Sequence, residues 1–300
     1  MSGKRMLVAL AVAAVGLVLL ISAAAAAPAL TPVEQLGKLI FFDQNLSINQ
    51  NQSCAACHGP DVGWTGPSEM INLHGGVYEG SIPGAFGARK PPSAAYATLS
   101  PIFHMDKKGS FVGGNFWDGR ATGEKLGNPA ADQAQGPFLN PKEQALPSPA
   151  DVVQRVCAAS YGNLFRQVWG AQVCDPLNVN MAYDDIGLSI AAYEGSAEVN
   201  AFTSKYDYAL KNMATLTKQE RQGFALFQGK GKCRLCHPSN GANALFTDFT
   251  FDNLGIPRNP ENPVYAYDPG FVDHGLGAFL ASRSDYAAYA DGEMGKHKVP

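Results

Sequence analysis

Charge is scarce in this 300-residue sequence: Lys and Arg number 23, Asp and Glu 26, and charged residues make up 16% against 46% hydrophobic. So apolar a composition excludes a disordered chain. The net charge of −3 is made of acids and bases mixed along the sequence. No basic stripe is present, which excludes the electrostatic footprint of a nucleic-acid partner. Strand signals are weak, and apart from one short cysteine motif there is no internal repeat, so an array of small modules is excluded as well. The one long apolar run stands at the start. Lys4 and Arg5 precede Met6 to Ile21, followed by Ser22 and Ala23 to Ala27 before Pro28. A basic region, an apolar region and a small-residue exit read as an export signal over residues 1–27. An uncleaved membrane anchor is the alternative, because the run approaches bilayer-spanning length. Either reading places the body of the protein outside the cytoplasm, in the periplasm. At the other end, Lys298-Val299-Pro300 carries neither a polar tail nor a helix-ending signal, as expected of a truncated sequence.

Six cysteines remain to be explained. Four form two copies of one pattern, Cys54-Ala55-Ala56-Cys57-His58 and Cys233-Arg234-Leu235-Cys236-His237. Two cysteines three apart on a tight turn can both add across the vinyl groups of one haem, and the following histidine then lies beneath the iron. A thioredoxin-like pair would occur once, in a βαβ setting. A zinc ribbon would bring its two pairs within about 15–20 residues of each other. Ordinary disulfides do not call for a histidine after each pair. Two such motifs behind an export signal therefore point to two covalently bound c-type haems. Cys157 and Cys174 are left over. An oxidising compartment and an even count favour a disulfide between them, with two buried free thiols as the alternative.

Two motifs imply two halves, each enclosing its own apolar pocket. The expected fold is mainly α, two cytochrome c-like haem domains with long ordered loops, split as residues 28–205 and 206–300 with the boundary near 200–216. Thr31-Pro32-Val33-Glu34 is a capping box with Pro at the first helical position, and Leu36, Leu39 and Ile40 follow on one face. Ser148 to Asp151 opens a helix expected to run to about Trp169. Ile186, Ile190 and Tyr193 mark another from about Asp184 to Glu198. Thr217 to Glu220 caps a third, whose Phe224 and Phe227 lead to the second motif. The 32 glycines and 20 prolines concentrate in residues 59–92, 106–150 and 238–275. Loops of that length can wrap a flat cofactor that supplies the apolar surface they lack.

A haem with an open or openable axial position can activate peroxide, so distal residues matter. His74, in Leu73-His74-Gly75-Gly76, could ligate iron and swing away; by spacing alone it reads as a solvated loop histidine. Glu143 could move a proton between peroxide oxygens, yet Asn140-Pro141-Lys142-Glu143 also reads locally as a helix-opening capping box.

The two motifs, with Leu36 to Asp43, Phe116-Trp117-Asp118-Gly119-Arg120, Gln133, Asn140-Pro141, Glu143, Phe246-Thr247-Asp248 and Asn253 to Pro257, resemble the bacterial diheme cytochrome c peroxidases. That superfamily also holds the methylamine-utilisation diheme enzymes, which oxidise a partner protein. The resemblance implies a peroxidatic haem on Cys54, Cys57 and His58, and an electron-entry haem on Cys233, Cys236 and His237. It implies that His74 is the distal ligand that leaves on reductive activation and that Trp117 is an electron bridge between the haems. It implies Gln133 and Glu143 as the distal pair, with Glu143 the acid/base. Arg89-Lys90-Pro91-Pro92 departs from the family's Arg-Asn-x-Pro, whose asparagine helps hold calcium, and leaves calcium open. The family's distal ligand to the second haem would lie beyond Pro300; Met294 and His274, the nearest substitutes, read as ordinary loop residues, and His104 and His297 have no assigned role.

The activity so implied is reduction of hydrogen peroxide to water, with electrons from a small cytochrome or cupredoxin. The alternatives are ferryl-dependent oxidation of a protein partner, and a non-enzymatic diheme electron carrier. A homodimer is open on this reading.

Overall fold

A computed structural model describes residues 28–299, so the expected export segment lies outside the described residues. The first helix, α1 (Pro32–Phe41), starts on the expected capping box: the Thr31 side chain accepts from the Glu34 N–H while the Glu34 carboxylate accepts from the Thr31 N–H. Its buried face is Leu36, Gly37, Ile40 and Phe41, whereas Leu39, placed on that face by spacing, is 37% exposed. Gly37 explains the rotation. A Cβ there would stand 1.8 Å from the Ser189 carbonyl oxygen, so the helix meets its neighbour backbone to backbone along the Gly37 line.

Chain order continues with α2 (Glu69–Leu73), α3 (Pro129–Leu139), α4 (Pro149–Ala158), α5 (Gly162–Trp169), α6 (Val179–Glu194), α7 (Lys205–Leu210), α8 (Lys218–Gln228), α9 (Val264–Tyr267) and α10 (Gly275–Ala281). The strands are short: β1 (His104–Met105) pairs antiparallel with β2 (Phe111–Val112), and β3 (Phe251–Asp252) with β4 (His297–Lys298). The described chain is thus helix-rich, as expected. Among its residues no helix is long and apolar enough to cross a membrane.

Four helix expectations are corrected. The helix opening at Ser148 stops at Ala158 and restarts at Gly162 instead of running through. Gly162 sits so close to the Cys157 carbonyl, 2.3 Å from where its Cβ would be, that the chain must turn there. The helix marked by Ile186 begins five residues earlier than expected, at Val179, and ends at Glu194 rather than Glu198. Finally, residues 106–150 are not one long loop. They contain α3, capped by Asn128, whose side chain accepts from the Ala130 N–H, with Pro129 at the first position. That Asn-Pro start is a readable signal, obscured by the surrounding glycines. Asn140 ends α3 instead of opening a helix, so the capping-box reading of Asn140 to Glu143 fails. The Cys157–Cys174 disulfide is formed, with Cα atoms 5.9 Å apart.

One core cluster joins α1, α3, α4, α5 and α6 through Leu36, Ile40, Phe41, Phe138, Val156, Phe165, Ile186, Ile190 and Tyr193. A second joins Phe103 and Phe111 to Phe251, Leu276, Leu280 and Ala290. It packs the β1–β2 hairpin against β3 and α10, so residues 103–111 and 251–290 share a core. An ion-pair network joins the same parts of the chain. Arg89 holds Asp273 through Nε and Nη2, both at 2.7 Å, and Asp118 through Nη1 at 2.5 Å. Arg120 also binds Asp118, at 2.8 Å, and His297 binds Asp273, at 3.2 Å. Burial works against the Asp273 carboxylate, but the hydrogen bonds from His297 and Arg89 override it and hold its pKa far below the usual range.

Candidate functional site

The two CxxCH motifs fold alike. Cys54–Ala56 and Cys233–Leu235 are each one 3₁₀ turn. In the first, the N–H groups of Cys57 and His58 donate to the Cys54 carbonyl at 3.1 and 3.0 Å. In the second, Cys236 and His237 donate to Cys233 at 3.3 and 2.9 Å. Each turn presents two unbonded thiols and the following imidazole from one short segment. The imidazoles are oriented by the same device. His58 Nδ1 donates to the Trp64 carbonyl at 3.1 Å, and His237 Nδ1 to the Phe246 carbonyl at 2.7 Å. A carbonyl can only accept, so Nδ1 carries the proton and Nε2 keeps its lone pair. Both carbonyls come from residues in the left-handed region, Trp64 at φ 61° and Phe246 at φ 56°. Burial lowers the His58 pKa and favours the neutral, ligating imidazole.

Around the first motif, Phe41, Trp64 and Tyr193 pack edge to face, with His58 6.5 Å from Phe41 between ring centroids. Burial also pushes the thiols up, Cys54 far above its ordinary value and Cys57 to about 12. The carboxylates of Glu194 and Glu143 add to the rise at Cys54, and Glu143 adds to that at Cys57. Glu143 therefore lies within electrostatic reach of the first motif. It is partly buried; burial raises its pKa, and Arg120 and an Asn140 hydrogen bond pull it back. Its carbonyl is pinned by the Ser81 N–H at 2.7 Å. At the second motif the facing carboxylate is Asp252, whose Oδ2 lies 3.7 Å from Cys236 Sγ.

Gln133, on α3, and Trp117 line one cavity of about 270 Å³, together with Phe116, Tyr96, Phe249 and Lys298. Trp117 is held at two points: its Nε1 donates to the Lys90 carbonyl at 2.8 Å, and its carbonyl accepts from the Lys298 N–H at 2.8 Å. Lys90, at the departure from the family pattern, offers only its carbonyl here. His74 ends α2 with its side chain 61% exposed and Nδ1 3.4 Å from Glu261 Oε1; neither it nor Glu143 lines the cavity shared by Gln133 and Trp117. His104 and His274 are exposed, and Met294 is 37% exposed. Among the described residues no group of three or more His, Cys, Asp or Glu could hold a metal ion.

Four groups were given no role from sequence: Arg89 with its two aspartates, Arg120, whose charge acts on Glu143, Glu194, whose carboxyl acts on Cys54, and Lys298. Their partners are far away in the chain, so no local pattern announces them.

The residues present fit a pair of covalently attached haems. Each turn supplies two unbonded thiols and a histidine whose Nε2 remains available. Near the first, the buried Gln52 Oε1 has no hydrogen-bond partner while its Nε2 lies 3.9 Å from Cys57 Sγ. In the chain segments flanking the second, Leu226, Leu235, Leu254 and Ile256 are 57% to 77% exposed, apolar surface of the kind a porphyrin covers.

Comparison with known proteins agrees. Residues 31–215 match the family model described as di-haem cytochrome c peroxidase. The methylamine utilization protein MauG of Paracoccus denitrificans is 35% identical over 87% of this chain and 67% of its own. The cytochrome-c peroxidase IdrP2 of a Pseudomonas species is 27% identical over 85% of this chain and 61% of its own. The crystal structure of the diheme peroxidase BthA from Burkholderia thailandensis superposes with a TM-score of 0.79 at 30% identity, over 91% of this chain and 65% of that one. The chain thus spans about two thirds of the length of these relatives. The cofactors the family implies are two c-type haems. With more than half its length matched by the family model, the chain belongs to the di-haem cytochrome c peroxidase family.

Proposed function

We propose that this chain is the haem-bearing body of an exported peroxidase that reduces hydrogen peroxide to water with electrons from a small cytochrome or cupredoxin. One haem is held by Cys54, Cys57 and His58 in a unit of residues 28–205. The other is held by Cys233, Cys236 and His237 in a unit of residues 206–300. Bound haem supplies the redox-active iron. The chain's own residues do the rest. His58 and His237 offer Nε2 as ligands, with the opposite nitrogen fixed on a carbonyl. The Glu143 carboxylate takes a proton from one peroxide oxygen and returns it to the other, the task of a carboxyl whose pKa burial has raised. Gln133 holds an amide in the cavity to orient substrate. Trp117, bonded to residues of both halves, is the bridge by which electrons reach the first site from the second. His74, being exposed, would reach iron only through movement of the Gly75-Gly76 segment.

The observation that carries this reading is the pair of like thiol–histidine turns, each with its imidazole Nδ1 anchored on a carbonyl, with the partly buried Glu143 carboxyl within electrostatic reach of both thiols of the first. The test is Glu143→Gln in haem-loaded protein. Peroxide turnover is expected to fall at least about a hundredfold, with both haems retained by their pyridine spectra; unchanged turnover removes Glu143 from the mechanism.

A second reading, oxidation of a protein partner, is favoured by the 35% identity to a methylamine utilization protein. Slow peroxide turnover with every donor cytochrome, together with oxidation of a protein substrate, would select it.

A further inference from the structure

The Lys298 amine sits at the junction of the halves, on β4, and its surroundings bear on both its protonation and its use. Three oxygens receive it: Ser100 Oγ at 2.7 Å, Asn115 Oδ1 at 3.0 Å and the Gly114 carbonyl. None of the three can donate to it. The Ser100 hydroxyl proton is committed to the Gly114 carbonyl at 2.8 Å. The Asn115 amide donates through Nδ2 to the Ala97 carbonyl at 3.2 Å, which turns Oδ1 toward the lysine. The lysine must therefore supply three N–H donors, and only the ammonium has three.

With all three protons engaged, Lys298 has none left for a ligand or for acid catalysis. What remains is its charge. Among the described residues no carboxylate lies within ion-pair distance of it, although Lys296 and His297 beside it are both paired with acids. An unpaired cation drawn into a protein junction is costly unless it is used. Its backbone N–H holds the Trp117 carbonyl, its ammonium stands 5.7 Å from the Phe249 ring centre, and it lines the cavity with Trp117 and Gln133.

We propose that Lys298 is a positive charge placed at the junction, which would favour the electron-rich state of a haem bound near it and so bias electron transfer past Trp117. Burial lowers the Lys298 pKa to about 7, so the charge is full below neutral pH, where the three acceptors hold the ammonium; the electron comes from the external donor and reduces iron by one unit. This inference rests on the two-haem reading above but not on the peroxidase activity.

The test is spectroelectrochemical titration of the haem-loaded protein. Lys298→Met should lower the reduced-to-oxidised ratio of at least one haem about tenfold at fixed potential, the effect of a unit charge acting through a weakly polar interior; for a one-electron couple that is about 59 mV. Lys298→Arg, which keeps the charge, should restore most of the shift. Asn115→Asp places a carboxylate beside the ammonium without removing it, and should shift the same couple in the same direction even if Lys298→Met fails to fold. Less than a twofold change at both haems in Asn115→Asp overturns the proposal, as does an arginine variant no different from the methionine one. Failure of the parent protein to turn over peroxide would strike only at the proposed activity, since the potentials are read without peroxide.

Discussion

Glu194, the last residue of α6, offers a quantitative test of how the first motif is enclosed. It is 8% exposed, and among the described residues its carboxyl has no hydrogen-bond or ion-pair partner. Burial alone pushes its pKa from the ordinary 4.5 to about 8. In the unfolded chain the group ionises near 4.5; in the folded protein it keeps its proton until about pH 8. Below 4.5 it is protonated in both states and contributes nothing to pH dependence. As pH rises from 4.5 to 8 the unfolded chain releases a proton that the native one retains, so stability is lost across that window. At about 1.4 kcal/mol per tenfold change in proton affinity, the full loss is on the order of 5 kcal/mol above pH 8. Glu194→Gln keeps the shape and removes the titration. Chemical unfolding of parent and variant should then agree near pH 4.5 and diverge steadily to pH 8.5, with the variant the more stable. A difference independent of pH would refute the enclosure of Glu194 beside Cys54.

Three other changes test other links. Gly37→Val puts side-chain atoms where even a Cβ would meet the Ser189 carbonyl at 1.8 Å; forcing α1 from α6 should cost about 3 kcal/mol or more, read as a lowered Tm. Breaking the disulfide with Cys157→Ser and Cys174→Ser should cost about 3 kcal/mol for its 17-residue separation, while leaving haem content unchanged. Arg120→Gln removes the cation that opposes the burial-raised pKa of Glu143; deprotonation of Glu143 then needs a higher pH, so the acid limb of peroxide turnover should move up. An unmoved limb would detach Arg120 from Glu143.

Local chemistry is what the sequence displays well. The capping boxes at Thr31 and Thr217 form as written, because they are closed by residues three apart. The thiol–histidine turns and the Cys157–Cys174 bridge were legible for the same reason: cysteine chemistry restricts what its spacing can mean. Boundaries set by tertiary contact were not. The face of α1 turned to follow Gly37, and the helix from Ser148 broke at Gly162 against Cys157, both because another backbone comes close. Asn140 to Glu143 shows the opposite failure, a local pattern overruled once α3 ended there. Of the site, Glu143, Gln133 and Trp117 were named through resemblance, and two of them share a cavity. Arg120, Glu194 and Lys298 act on residues distant in sequence, and a single sequence carries no mark of such pairs.

The backbone twist at Trp64 and Phe246 has a consequence for assembly. A bulky residue in the left-handed region stores on the order of 1 kcal/mol, and this fold accepts that expense twice, each time to aim a carbonyl at an imidazole. Neither ring is free to turn away from that carbonyl. If these imidazoles are the iron ligands, such pre-alignment would leave less ordering to be done at ligation than a freely rotating side chain would require.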